Sequence, residues 1–374
     1  LLTILIILVL CLLTGLAGTK LSIFRGILVT LSLGLAYAFV TVLLFTQTST
    51  LIDLATVELA VVLTFIAGTV ANYINENRQK SFIQGAFSQI LAPAILDKLM
   101  EDPSTLGLGG EEKELTIFFS DLQGFTSLSE ELGSPTKLVE ILNEYLTAMS
   151  DIIMNYDGYV DKYEGDAIMA FWGAPLDDPD HAWKACHAAL ENQEKIHELQ
   201  ARFREMGLTS ELKVRVGMNT GIALVGMMGS LKKLNYTIIG DSVNLASRLE
   251  GANKQYGTFT MVSESTYLLA KDRIIVRPLD LIRVKGKKEP TSVYELMAKT
   301  GGLDAAGMEL VETFTRGVMA YRGRQFAEAV GLFEKCDGIR PGDPPSQVYL
   351  ERCRQYLTNP PEEGWDGVFT MTTK

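Results

Sequence analysis

Three long apolar runs open the chain. Residues 1–17 are apolar apart from Thr3 and Thr14, and residues 26–45 and 54–71 repeat the pattern. A helix that crosses a membrane needs about 20 such residues, and somewhat fewer can suffice. Three runs in succession predict three transmembrane helices rather than a signal peptide, which has a charged leader and one short core. The chain begins inside the first run without an initiator Met, and reads as a fragment lacking an N-terminal region that would lie outside the membrane. Basic residues set the orientation. Lys20 and Arg25 occupy the first connection, none lies between Thr46 and Asp53, and Arg78 and Lys80 follow the third run. The first loop and everything after residue 75 are therefore expected on the cytoplasmic side. Glu58, inside the third run, is either a functional intramembrane carboxylate or a solvated group near the outer end; the second is the plainer reading.

After residue 75 the pattern changes. Residues 78–101 read as an amphipathic helical connector broken at Pro93, and Asp102 to Gly110 as a turn-rich linker that takes in Gly109-Gly-Glu-Glu112. Leu115–Phe119 is a short buried strand. Ser134 and Pro135 then open a helix running to about Tyr156. A hairpin follows, Tyr159–Lys162 and Ala167–Phe171 around Tyr163–Asp166. A long helix covers about Asp180–Met206. Lys213–Asn219 and Ala223–Met227 are expected as a strand pair. Asp241 is placed to cap a helix ending near Asn253, and strands are expected near 259–262, 274–276 and 293–296. The sum is an α+β fold with a mainly antiparallel sheet.

Composition narrows the function. A chain of 374 residues suggests two or three domains, and 47% apolar with 21% charged residues excludes a disordered chain. The net charge of −11 argues against nucleic-acid binding. An anionic substrate would need metal ions or a local basic cluster. Cys11, Cys186, Cys336 and Cys353 have no paired spacing, which disfavours a disulfide scaffold or zinc site and fits reduced thiols.

Candidate chemistry gathers at two acidic strand tips. Asp121 ends one strand, and Asp166 sits just past the hairpin turn; on adjacent strands the two carboxylates would meet. Two carboxylates with open positions suit Mg²⁺, whose shell phosphate oxygens complete. Gly124 permits a sharp turn after Asp121, where successive N–H groups form an anion cradle. Asn244 and Arg248, four apart, share a helix face; they suit a hydroxyl and a phosphoryl charge, or are ordinary surface polars. Arg283-Val-Lys-Gly-Lys-Lys288 is a local basic cluster, for a polyphosphate or a solvated strand end.

Four segments in order carry a resemblance: 118–126 (FFSDLQGFT), 162–166 (KYEGD), 215–221 (RVGMNTG) and 240–248 (GDSVNLASR). Over about residues 112–298 the chain resembles the class III nucleotidyl cyclase catalytic domain. With its membrane part, connector and tail it resembles bacterial adenylate cyclases bearing an extracytoplasmic CHASE2 sensor. The resemblance implies a ferredoxin-like domain working as a head-to-tail homodimer with shared active sites. It implies that Asp121 and Asp166 bind two Mg²⁺ (Mn²⁺ can substitute), joined by the Leu122 carbonyl, and that the backbone of Phe125 and Thr126 holds phosphates. Lys162 matches the lysine that reads adenine N1, Asn244 and Arg248 the pair that positions ribose and stabilises the transition state, and Lys285 the lysine on the terminal phosphates. Thr237 departs from the usual Asp at the second purine-reading position. Guanylate cyclases carry Glu and Cys at these two positions, and Lys162 disfavours that reading because a fixed donor clashes with the guanine N1–H.

The expected whole is a membrane-bound adenylate cyclase acting on ATP, in the bacterial inner membrane with its catalytic domain cytoplasmic. Guanylate cyclase and a silent nucleotide-binding receptor are the alternatives. Its expected parts are three transmembrane helices (1–75), a helical connector (76–111), the catalytic domain (112–298) and a tail (303–374). Tyr321–Phe333 in the tail resembles one tetratricopeptide-type hairpin; one repeat cannot form a solenoid, so it is expected to pack on the catalytic domain.

Overall fold

The computed structural model describes residues 2–48, 53–87, 109–230, 233–283 and 289–370, in two units, Leu1–Glu101 and Asp102–Lys374. The first unit holds helices α1 (Leu2–Lys20), α2 (Ile23–Thr48) and α3 (Leu54–Phe87). Ile23–Thr48 and Leu54–Asn75 are long and apolar enough to cross a membrane, whereas the apolar stretch of α1, Ile4–Lys20, is shorter. Bulky side chains such as Leu12, Phe24, Phe39 and Leu59 are exposed. Small residues line the contact of α1 with α3: a side-chain carbon on Gly18 would lie 2.9 Å from the Phe65 carbonyl oxygen. Backbones pack closely through such residues in apolar helix pairs.

Two expectations change in this unit. The third apolar run and the start of the connector are one continuous helix to Phe87, while Pro93 and residues 102–108 lie outside the described residues. Glu58 is not simply solvated. Its Oε2 would stand 2.7 Å from a side-chain carbon on Gly34, and its Oε1 is buried without a hydrogen bond.

The second unit is built on one mixed sheet. Its elements begin with β1 (Gly109–Leu122), α4 (Phe125–Leu132), α5 (Pro135–Asn155), β2 (Tyr159–Glu164), β3 (Ala167–Trp172), α6 (His181–Glu205) and β4 (Val214–Ser230). There follow β5 (Lys233–Ile239), α7 (Asp241–Tyr256), β6 (Thr260–Ser263), α8 (Glu264–Ala270), β7 (Ile274–Arg283) and β8 (Thr291–Lys299). Then come α9 (Ala305–Arg322), α10 (Phe326–Ile339), α11 (Pro344–Thr358) and β9 (Phe369–Thr370). The strand order is β2-β3-β1-β4-β6-β8-β7-β9, with β5 also on β4. Along β2-β3-β1-β4 each adjoining pair is antiparallel, with helices between β1 and β2 and between β3 and β4 in the chain. That is the split β-α-β arrangement of a ferredoxin-like core. β4 with β6 and β7 with β9 are parallel, so the sheet is mixed.

Apolar stripes on α5 and α6 close one core with the sheet: Tyr145, Met149 and Ile153 from α5, and Ala185, Ala189 and Phe203 from α6, meet Phe118, Trp172 and Met218. Leu245, Leu249 and Tyr256 of α7 close a second with Met261, Leu279 and Val293.

Three sequence expectations are corrected here. Gly109–Glu112 is strand rather than linker: Gly109 and Gly110 lie opposite Met227 and Gly226. Pairing along the whole of β4 outweighs the poor strand preference of Gly and Glu. The expected strand pair 213–227 is one continuous strand. Gly221 marks close packing rather than a turn, since a side-chain carbon there would stand 2.6 Å from Ser242 Oγ. Asp241 is the first residue of α7, and Gly240 caps it.

The tail packs on the sheet through buried charge. Helices α9, α10 and α11 share a core of Phe314, Phe333, Tyr349 and Cys353. Arg277 of β7, 1% exposed, donates from Nη1 to Asp343 Oδ2 at 2.8 Å and from Nε to Glu295 Oε2 at 2.5 Å. Arg352 of α11 donates to Asp280 Oδ2 at 2.6 Å, and the Tyr349 hydroxyl donates to the Leu279 carbonyl at 2.5 Å. β9 adds to β7, Phe369 opposite Ile282. Removing one partner of such a buried pair strands the other charge, at a cost of roughly 3–5 kcal/mol.

Candidate active site

The site is built at the end of β1. Asp121 and Leu122 close the strand, and Gly124 adopts φ +79°, which only glycine accepts without strain. The turn delivers the chain into α4, whose first residues are Phe125 and Thr126, so the free N–H groups of a helix start lie beside Asp121.

β3 lies alongside β1 with Ser120 opposite Ile168, which brings the β2–β3 turn to the same end. Gly165 makes that turn at φ +70°, and Asp166 follows it. The Leu122 N–H donates to Asp166 Oδ2 at 3.2 Å. Burial, and then the charge of Asp121, push the Asp166 carboxyl up to about 6. Two carboxylates pressed together at this cost are what a bound cation relieves. Their all-oxygen donor set, with a neighbouring carbonyl, fits a hard divalent ion whose remaining positions go to water and phosphate.

Arg215 of β4 stands opposite Asp121 in the register. Its Nη2 lies 3.4 Å from Asp121 Oδ2, and its Nε donates to Glu250 Oε1 at 3.0 Å. Burial raises the Glu250 carboxyl, with Arg215 opposing and Asp121 and Asp166 adding to the rise. Arg215 thus balances charge between the acidic pair and α7.

A second cluster joins β2 and β5. Lys162 Nζ donates to Thr237 Oγ1 at 3.1 Å, and Thr237 donates to Asp161 Oδ2 at 2.5 Å. Lys162 Nζ also lies 3.6 Å from Asp161 Oδ1. Burial raises the Asp161 carboxyl, and its hydrogen bond from Thr237 and the Lys162 charge oppose the rise.

The third group is on α7. Asn244 is exposed and Arg248 half-buried, one turn apart on one face. The helix lies so close to β4 that a side-chain carbon on Gly217 would fall 2.0 Å from the Glu250 backbone nitrogen. Glycine at 217 therefore fixes how near the Asn244–Arg248 face comes to the sheet.

The structure thus joins Asp121, Leu122, Asp166 and the α4 start at one tip, and Lys162 with Thr237 at another. Among the described residues, no hydrogen bond or ion pair links the acidic tip to Lys162, Thr237, Asn244 or Arg248. Lys285 lies outside the described residues. Three site neighbours escaped the sequence reading: Arg215, Glu250 and Asp161. Arg215 is visible only once the β1–β4 register is known. Asp161 is hidden by a bulge that defeats strand alternation, because the β2–β3 register jumps from Val160–Ala170 to Lys162–Met169.

Comparison with known proteins follows the same segment. The family model for the adenylate and guanylate cyclase catalytic domain matches residues 110–298. Adenylate cyclase 1 of Rhizobium meliloti is 36% identical over 211 residues, covering 56% of this chain and 31% of that protein. A receptor-type guanylate cyclase of Caenorhabditis elegans is 32% identical over 219 residues, 58% of this chain and 16% of that one. The chain thus spans about a third or less of these two relatives. A solved bacterial light-regulated adenylyl cyclase shares the fold at a TM-score of 0.50 and 23% identity, covering 61% of this chain and 64% of that one.

Proposed function

The chain belongs to the adenylate and guanylate cyclase catalytic domain family, and on that premise we propose that it is a membrane-anchored adenylate cyclase converting ATP to 3′,5′-cyclic AMP and pyrophosphate. The observation that carries the choice of base is the Lys162–Thr237 pair. Lys162 has donors only, which suit adenine N1 and oppose the guanine N1–H.

The remaining roles follow the chemistry of each group. The α4 start and Lys285 hold the triphosphate. Asn244 orients the ribose, and Arg248 stabilises charge that builds on the transferring phosphoryl group. The ribose 3′-oxygen bonds to the α-phosphorus, its proton passes to water, and the bond from that phosphorus to the bridging oxygen breaks to release pyrophosphate. Mg²⁺ held by Asp121, Asp166 and the Leu122 carbonyl, or Mn²⁺ in its place, would acidify the 3′-hydroxyl and offset the phosphate charge.

Two copies complete the machinery. The acidic tip of one subunit faces Lys162, Thr237, Asn244 and Arg248 of the other, giving a homodimer with two equivalent shared sites. Ile222, Leu224 and Ile239, exposed on β4 and β5 near Thr237, supply apolar surface for that contact. Three helices in residues 1–75, α1 among them, cross the bilayer of a bacterial inner membrane. The catalytic domain is cytoplasmic, and the tail is a tetratricopeptide-like unit. The parts are then 1–75, a connector to 108, the catalytic domain 109–298 and the tail 303–374.

The base assignment is tested by Lys162→Glu with Thr237→Cys. The pair swaps a donor at purine N1 for an acceptor, and a mismatched buried hydrogen bond costs about 1–3 kcal/mol. Both changes strip Asp161 of partners, so absolute rates fall with either nucleotide. The kcat/KM ratio of ATP to GTP is expected to drop at least about tenfold. An unchanged ratio removes Lys162 and Thr237 from base recognition.

A further inference from the structure

Beneath the base-facing pair lies a third side chain with no exposure of its own, Asp161. We propose that Asp161 is a specificity-determining residue: it holds the Thr237 hydroxyl as a hydrogen-bond acceptor for the 6-amino group of the purine. The inference rests on the reading of Lys162 and Thr237 as the pair that faces the base, and adds the element that makes threonine selective.

A threonine hydroxyl has one proton and two lone pairs, and by itself it serves a 6-amino donor or a 6-oxo acceptor equally well. Here its choices are spent. The Thr237 hydroxyl gives its proton to Asp161 Oδ2 at 2.5 Å. An ionised carboxylate only accepts, so the direction of that bond is fixed. Lys162 Nζ donates into the same hydroxyl oxygen at 3.1 Å, which takes one lone pair. What remains is a single lone pair with no proton behind it. An amino group at purine C6 completes it; a carbonyl oxygen there sets two acceptors against each other. Thr237 and Lys162 then reject guanine at two adjacent positions, C6 and N1.

The backbone is shaped for this arrangement. Successive side chains of a regular strand point to opposite faces, which would part Asp161 from Lys162. The bulge in β2 leaves Asp161 as the extra residue between Val160 and Lys162, and both side chains meet the one hydroxyl. Bulges beside active sites re-aim a side chain in this way. The two strands, β2 and β5, are tied together next to the cluster: Tyr159, two residues before Asp161, packs on Phe171 and on Tyr236, the neighbour of Thr237, at centroid distances of 4.9 and 5.4 Å.

The test uses the full chain in detergent with three substrates: ATP, GTP and purine riboside 5′-triphosphate, which keeps N1 but lacks the 6-amino group. Wild type is expected to favour ATP over purine riboside triphosphate by about tenfold in kcat/KM, the worth of one hydrogen bond. Asp161→Asn, whose amide donates to Thr237 and turns its proton outward, should bring that ratio near one, chiefly through KM. Relative use of GTP should rise by a similar factor. Thr237→Val should remove the ratio too, and adding Asp161→Asn to it should change the ratio no further. Asp161→Ala, which frees the hydroxyl, should also lower the ratio and serves if the asparagine variant folds poorly. If Asp161→Asn and Asp161→Ala slow ATP and its deamino analogue equally while Thr237→Val removes the ratio, the relay is wrong and the base reading stands. If Thr237→Val leaves the ratio intact, the base reading fails and takes the relay with it.

Discussion

Asp166→Asn abolishes turnover yet raises the thermal stability of the metal-free protein at pH 7.5. Asparagine keeps the size of the side chain and an oxygen to accept the Leu122 N–H. It loses the charge that the site requires for a divalent ion, and turnover should fall by on the order of 10²–10³-fold or more. The stability change has the opposite sign because of where the carboxyl titrates. Burial and the charge of Asp121 raise it from 3.8 to about 6 in the folded chain. A raised carboxyl takes up a proton on folding, so its favourable contribution is complete below about pH 4, fades as pH rises towards 6, and is absent above. Asparagine does not titrate and escapes that loss. Melting curves of the metal-free proteins should therefore lie close together near pH 4 and separate, with the variant higher, by pH 7.5. Mg²⁺ should raise the wild-type midpoint and leave the variant unmoved, as expected for an ion that binds only the folded, doubly ionised site. A variant that keeps substantial turnover removes the two-carboxylate metal site; one destabilised equally at all pH values removes the electrostatic account of Asp166.

Asp121→Ala and Arg248→Ala are each inactive alone and active together. Each homodimer of a single variant lacks the same element at both sites. In a mixed dimer, one site takes both lesions and the other takes neither. Random pairing at equal expression makes half the dimers mixed, each with one intact site, so activity should return to about a quarter of wild type. The measurement is cyclic nucleotide formation by the two variants co-expressed, with mixed dimers isolated through two different tags. Mixed dimers with no activity contradict shared sites as drawn.

Much of this was legible in the sequence because strand tips and turns are local. Asp121 before Gly124, and Asp166 after Gly165, declare themselves by spacing, and the helix that carries Asn244 and Arg248 shows its period. What was not legible is tertiary. Gly221 and Gly109 look like turn residues, and only pairing of β1 with β4 over their whole length makes them strand. Strand β5, with Thr237 on it, lacks a clean alternation and forms because β4 is long enough to pair with it. Asp161 looks like a solvated strand residue until the bulge turns it inward. Arg277, Asp343, Arg352 and Asp280 look like surface charges, and the structure buries them in pairs between sheet and tail.

The reaction itself is tested by the identity of its product. The full chain in detergent is given ATP and GTP in equal amount with Mg²⁺ or Mn²⁺, and the nucleotides are separated and identified by mass. The expected products are 3′,5′-cyclic AMP and pyrophosphate in equal amounts, formed faster than cyclic GMP and dependent on the metal. Cyclic GMP as the main product would contradict the adenine reading, and binding of either nucleotide without any cyclic product would contradict catalysis.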